Sequence, residues 1–156
     1  MRIAVAGGTG MVGRHVVACA RNAGHEAVVL SRSRGVDVRS GDGLADALRG
    51  VEVVIDVMNS VTNKQDRAAK FFTETSASLQ RSGAEQGVRH LVTLSIVGID
   101  KIPSGYYAAK REHERAAASG PVPSTVLRAT QFHELPAQMI SWTRRDSRSR
   151  SRTRSS

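Results

Sequence analysis

An apolar segment, Ile3 to Ala6, runs directly into Gly7-Gly8-Thr9-Gly10-Met11-Val12-Gly13, and a segment of helical composition, Met11 to Ala23, opens inside that run. Strand, glycine turn and helix in this order leave few folds open. Glycine reaches backbone dihedrals closed to other residues, and it lets main-chain N–H groups and a helix N-terminus come close to a bound phosphate. The run satisfies GxGxxG from Gly8 and GxxGxxG from Gly7. Gly7, Thr9, Gly10, Met11, Val12 and Gly13 are therefore the candidate residues for a dinucleotide pyrophosphate, with the Thr9 hydroxyl as an added donor. A glycine-rich turn without a ligand shares the glycines; the strand before it and the helix after it favour the nucleotide.

The alternation continues along the chain. Ile3 to Ala6, Ala27 to Leu30, Val36 to Arg39, Val51 to Val57, Leu91 to Leu94 and Ser124 to Arg128 read as six short strands. Between them, Met11 to Ala23, Leu44 to Leu48, about Lys64 to Gln86, and Tyr106 to Ala118 have helical composition. Such βαβ alternation predicts an α/β fold, a doubly wound parallel sheet of the Rossmann type with strand order 3-2-1-4-5-6. Its ligand crevice lies at the carboxyl ends of the central strands.

Several function classes recede on composition. At 156 residues, one domain is expected, with 40% hydrophobic and 24% charged residues as in globular proteins. No apolar run approaches the roughly 20 residues that span a bilayer, and the start lacks a secretory pattern, so the expectation is a cytoplasmic protein with no membrane partner. Cys19 reads as a core residue of the first helix, and the five histidines have no zinc-ligand spacing, so no metal site is predicted.

The net charge of +9 is uneven: residues 144–156 hold six arginines and one aspartate, which leaves 17 basic against 13 acidic residues on 1–143. A nucleic-acid partner is therefore not expected of the domain as a whole. The division predicted is a dinucleotide-binding domain over 1–143 and a disordered Ser/Arg-rich tail over 144–156. Alternating Arg and Ser in that tail also suits RNA contact or phosphorylation.

The residues after the second strand select the cofactor. NAD-specific folds place an acidic residue there to accept from the ribose hydroxyls. Here the chain reads Leu30-Ser31-Arg32-Ser33-Arg34. A guanidinium and hydroxyls suit an added 2′-phosphate, so Ser31 and Arg32 favour NADP(H) over NAD(H). Arg32 and Arg34 would look the same as solvated loop charges. Asp42, in Ser40-Gly41-Asp42-Gly43, reads as an adenine neighbour or as a turn residue, and Asp56 to Asn59 ends a strand beside the cofactor path.

With the glycine turn, Leu94-Ser95-Ile96-Val97-Gly98 and Tyr106-Tyr107-Ala108-Ala109-Lys110 in this order, the chain resembles the atypical short-chain dehydrogenase/reductases, most of all their NmrA-like, NAD(P)-binding branch. The likeness runs from Met1 to about Arg145 and includes Gly43 to Leu48 and Leu127 to Phe132. It implies hydride transfer involving a small carbonyl or hydroxyl compound, with Tyr106 as proton donor or acceptor, Lys110 holding the nicotinamide ribose, and Ser95 orienting the substrate. Tyr106 and Lys110 are four residues apart, on one face of a helix, where a nearby ammonium would favour the phenolate. Tyr107 is the weaker candidate because its partner at that spacing is Arg111.

Members of this family continue with elements that complete the sheet and the substrate pocket, and the resemblance implies that this chain lacks those C-terminal substrate-domain elements. Uncovered apolar surface then favours aggregation or a homodimer. Three readings stand side by side: an NADP(H)-dependent oxidoreductase domain, a non-catalytic NAD(P)-binding sensor or regulator, and an inactive shortened chain.

Overall fold

The computed structural model describes residues 1–60, 62, 64–130 and 140. Five strands form one parallel sheet: β1 (Arg2–Ala6), β2 (Glu26–Leu30), β3 (Val53–Asp56), β4 (His90–Ile96) and β5 (Ser124–Ala129), in the order β2-β1-β3-β4-β5. Four helices lie between them: α1 (Met11–Asn22), α2 (Leu44–Ala47), α3 (Gln65–Glu85) and α4 (Gly105–Ala118). This is the expected doubly wound Rossmann-like sheet with one strand fewer. The reversal of strand order falls between β1 and β3, which places the crevice there.

Alternation along each strand feeds two cores. Ile3 and Val5 of β1, Val53 and Ile55 of β3, and Val92 of β4 pack against Val16 and Ala20 of α1. Ala4 and Ala6, Val54 and Leu91 turn to the other face, against Leu44, Leu79 and Ala117 of α2, α3 and α4. Burial on both faces is why these strands read as unbroken apolar runs. Cys19 is partly buried against the α1 core, as expected.

The expected strand at Val36 to Arg39 is absent. Val36 and Val38 are buried in the second core, but as anchors of a tight turn. The Asp37 carboxylate accepts from the amides of Arg39 and Ser40, and its own N–H donates to the Asp42 carbonyl. An Asx-type turn takes the amides that a strand ladder would need.

Helix α3 buries Ala68, Phe72, Thr75, Ser76, Leu79 and Gly83, a spacing that keeps one stripe inward. Small residues on α4 let it lie close to its neighbours, Ala109 against Ala68 and Phe72 of α3, and Ala117 in the second core with Leu79 and Leu91. Gln80 locks α3 to the α4–β5 connection: its amide nitrogen donates to the carbonyls of Ala117 (2.6 Å) and Val122 (3.1 Å), and its oxygen accepts from the Val122 N–H (2.8 Å). Glycine is required at 120, where a Cβ would come within 2.3 Å of the Gln80 side chain.

Gln80→Ala orphans buried backbone groups at both Ala117 and Val122. The expected cost is about 2–4 kcal/mol, seen in a thermal melt as a Tm lower by roughly 5–15 °C.

Candidate functional site

The carboxyl edge of the sheet is aligned by register. Leu30, Ala6, Asp56 and Thr93 sit opposite one another across β2, β1, β3 and β4. The glycine turn leaves β1 at this edge. Gly7 takes φ +82°, its carbonyl accepts from the Gly10 N–H at 3.0 Å, and a Cβ at Gly13 would fall 1.9 Å from the Gly7 oxygen. The first turn of α1 thus packs against the turn's own backbone. Helix α1 opens on Gly10 with no side-chain cap and no acidic residue in its first turn, which leaves its amides and positive dipole end for an anion. Thr9 and Gly10 are exposed, Met11 is 82% exposed, Val12 is partly buried, and Arg14 ties the turn down through the Thr9 carbonyl at 2.9 Å. A bare main-chain cradle, closed to any side chain at 13 and free of acidic groups, fits a dinucleotide pyrophosphate.

Ser31 follows β2 and starts a single 3-10 turn over Arg32–Arg34. The Ser31 and Ser33 hydroxyls pair at 3.0 Å, and the Ser31 carbonyl accepts from Arg34 and Val36. Arg32 and Arg34 are exposed and form no ion pair among the described residues, which leaves both guanidiniums uncommitted just beyond the carboxyl end of β2. Asp42 is an exposed turn residue: its N–H donates to Ser40 Oγ at 3.2 Å and its carbonyl accepts from Asp37.

At the other end of the crevice, α4 presents Tyr106, Lys110 and His113 at successive turns of one face. Tyr106 stands half-buried with its ring edge-on to Phe72 of α3 and its hydroxyl donating to Asn59 Oδ1, in the loop after β3. Lys110 is only 3% exposed. Its ammonium donates to the Leu94 carbonyl at 2.9 Å and to His113 Nδ1 at 2.8 Å, and it lies 4.7 Å from the centre of the Phe72 ring. His113 is fully buried, stacks on Phe72 with ring centres 4.3 Å apart, and gives its other nitrogen to Asp56 Oδ2 at 2.9 Å. Since the ammonium can only donate, Nδ1 is the acceptor and Nε2 carries the proton toward the carboxylate. Asp56, 0% exposed, also accepts from the Met58 N–H at 3.0 Å.

Ser95 is the penultimate residue of β4, beside Leu94, 2% exposed, with its hydroxyl meeting no partner at hydrogen-bonding geometry. It lies near enough to Glu114 of α4 to favour that carboxylate's ionised form, though burial opposes this and the Arg128 ion pair does more. Ahead of α4, Arg111 donates to the carbonyls of Ile99 (2.7 Å), Ile102 (2.8 Å) and Pro103 (3.1 Å), which fixes the loop between β4 and α4.

The electrostatics depart from the expected lowering of the tyrosine. Burial pushes the Tyr106 phenol above its ordinary value, because the Lys110 ammonium is turned to Leu94 and His113. Lys110 itself is lowered to about 8, by burial above all, against the pull of Asp56 and then Glu114. His113 and Asp56 escaped the sequence reading as partners. The signal was present in the spacing: His113 falls on the face of Tyr106 and Lys110, and Asp56 interrupts an apolar strand.

A family model described as the NAD dependent epimerase/dehydratase family matches residues 3–99, more than half of the chain. A curated relative, the (4-alkanoyl-5-oxo-2,5-dihydrofuran-3-yl)methyl phosphate reductase of Streptomyces griseus subsp. griseus, is 30% identical over 154 residues, covering 90% of this chain and 50% of the relative. The chain thus spans half the length of that protein. Among solved structures, the UDP-N-acetylglucosamine 4-epimerase of Bacillus cereus matches with TM-score 0.69 and 22% identity, covering 82% of this chain and 53% of the other. The Bordetella bronchiseptica enzyme WbmG, solved with NAD, matches with TM-score 0.68 and 20% identity over 82% and 52% of the two chains. An Agrobacterium tumefaciens short-chain dehydrogenase/reductase superfamily protein with bound NAD gives 0.68 and 23% over 82% and 48%. These likenesses are of fold. Among the described residues, no group of ligating side chains is placed to hold a metal, and no helix is long and apolar enough to cross a membrane.

The lowered Lys110 makes a signed prediction. Its folded value of about 8 lies below the ordinary 10.5, so between those pH values the unfolded chain binds more protons. The penalty of burying the ammonium is complete below pH 8 and fades as pH rises toward 10.5. Melts of wild type and Lys110→Met at pH 7 and pH 10 are expected to show wild type gaining on the order of 2 kcal/mol relative to the variant at the higher pH.

Proposed function

The chain belongs to the NAD-dependent epimerase/dehydratase family, and on that premise we propose that it is an NADP(H)-dependent oxidoreductase domain acting on a small carbonyl or hydroxyl compound, of the NmrA-like atypical kind. The observation that carries this reading is the placement of Tyr106 and Lys110 on one face of α4, at the crevice whose other end is the Gly7–Gly13 cradle. A relative named as a reductase supports the redox chemistry, and neighbours solved with NAD support the dinucleotide. Uncommitted Arg32 and the Ser31 hydroxyl support the choice of NADP(H), through charge-assisted hydrogen bonds to a 2′-phosphate. A soluble cytoplasmic protein with a small-molecule substrate, and pairing into a homodimer, belong to the same reading.

In this mechanism the amides of the glycine turn and the α1 N-terminus hold the pyrophosphate, and Asp42 borders the adenine. When bound, the cofactor supplies or takes the hydride. Tyr106 Oη passes the matching proton to or from the substrate oxygen, and its raised pKa suits a donor that keeps its proton until the carbonyl oxygen gains charge. Lys110 positions the ribose through the ammonium bond left over from Leu94 and His113. Ser95, behind the strand end, steadies the substrate side beside Glu114.

A second reading, a binding module that senses the dinucleotide without turnover, draws on one observation: Tyr106 and Lys110 are both engaged inward, on Asn59 and on His113 with Leu94. NADPH oxidation with a panel of carbonyl compounds separates the two. For the oxidoreductase, Tyr106→Phe is expected to lower kcat by about 10²–10⁴-fold while the NADPH Kd holds; binding without turnover in wild type assigns the sensor instead. Arg32→Asp is expected to weaken NADPH by roughly tenfold or more and leave NADH unchanged in calorimetry. Equal loss for both dinucleotides would return Arg32 to the role of a solvated charge.

A further inference from the structure

The most unusual feature of the interior is a line of three ionisable side chains from three chain positions with no exposed member. Asp56 of β3, His113 of α4 and Lys110 of α4 are 0%, 0% and 3% exposed and are joined by bonds of 2.9 and 2.8 Å. A carboxylate so buried is tolerated only with partners, and it has two, the Met58 N–H and the imidazole. We propose that Asp56 and His113 are positioning residues for Lys110, a buried pair that anchors its ammonium from behind and sets its affinity for a proton.

Each part of the pair has a separate effect. The imidazole is clamped by stacking on Phe72 and by the Asp56 carboxylate, so its Nδ1 lone pair is held toward Lys110. Asp56 thereby selects the tautomer and supplies the negative charge that keeps the ammonium protonated. The surroundings of Lys110 are few. Its own helix contributes Tyr106, His113 and Glu114, the last ion-paired to Arg128 of β5, which also pairs with Asp100. β3 contributes Asp56; β4 contributes the Leu94 carbonyl. α3 contributes the uncharged ring of Phe72. Among these, Asp56 and then Glu114 are the charges that raise the lysine against its burial. Two of the three ammonium donors are taken by protein, which leaves one for an external acceptor. That this acceptor is the nicotinamide ribose rests on the proposed function; the anchoring does not.

The test is an NMR titration of the full chain labelled at lysine Cε, with Lys110→Met identifying the signal. Wild type, Asp56→Asn, His113→Phe and His113→Gln are compared. Asparagine and glutamine keep hydrogen-bonding partners in place, and phenylalanine keeps the stacking while removing the bridge. The expected result is a Lys110 midpoint lower by about one pH unit in Asp56→Asn and in His113→Phe, restored toward wild type in His113→Gln, whose amide can accept from the lysine and donate to Asp56. The NADPH Kd, followed against pH by calorimetry, is expected to shift its inflection with the Lys110 midpoint in each variant. Lys110 midpoints that coincide in wild type, Asp56→Asn and His113→Phe overturn the proposal, as does a loss in His113→Phe that glutamine fails to restore. A wild type that never binds NADPH but shows the shifts in Lys110 removes the proposed function and leaves the anchoring pair standing.

Discussion

The carbonyl oxygen of Gly7 occupies the space that a side chain at residue 13 would need, 1.9 Å from where its Cβ would stand. Everything at the carboxyl edge follows from that contact. It sets how closely α1 approaches the end of β1, aims the helix N-terminus along the edge, and leaves the Gly7 Cα against the backbone of Met58 at the end of β3. The two strands that flank the reversal of sheet order thus meet backbone to backbone at this edge. An edge lined with amides that no side chain caps results.

Across the crevice, the same edge tolerates a buried carboxylate. Asp56 sits opposite Ala6 on one side and Thr93 on the other, where the neighbouring positions of β3 are aliphatic. Its charge is answered by a histidine from the inward face of α4 and, beyond it, by a lysine, so that one negative and one positive group are buried with a neutral ring between them. Separation by an imidazole weakens their direct attraction while giving both ring nitrogens a partner, an arrangement that favours orientation over stability. Phe72 supplies the wall: it stacks on His113, meets the Tyr106 ring edge-on and faces the Lys110 ammonium. A single aromatic of α3 therefore organises the polar face of α4.

Much of the architecture could be read from residue patterns, because parallel strands buried on both faces are continuous β-branched runs and the helices between them carry one apolar stripe. The pattern misled at Val36-Asp37-Val38, where apolar-polar alternation is that of a strand. There the middle carboxylate captures two amides of its own turn, and the valines reach the core without a ladder. The glycine turn and the Tyr106/Lys110 spacing were legible for the same reason: both are local. Asp56 and His113 lie 57 residues apart, and only the packing of α4 against α3 and the sheet makes them neighbours. Nor could spacing reveal that Lys110 is turned inward, since the direction of a lysine depends on which acceptors the tertiary structure brings to it. The Ser/Arg-rich segment 144–156 and the residues Gln131 and Phe132 lie outside the described residues.

Arg111 gives the loop before α4 an unusual kind of support. One guanidinium holds three carbonyls of the stretch from Ile99 to Pro103, so this wall of the crevice is mechanically part of the helix and not a hinged flap. The loop is thereby joined to the same helix that carries Tyr106 and Lys110. Ile102, whose carbonyl the arginine holds, leaves its side chain exposed on that stretch, so a replacement there changes the surface while the backbone beneath it stays where the arginine puts it.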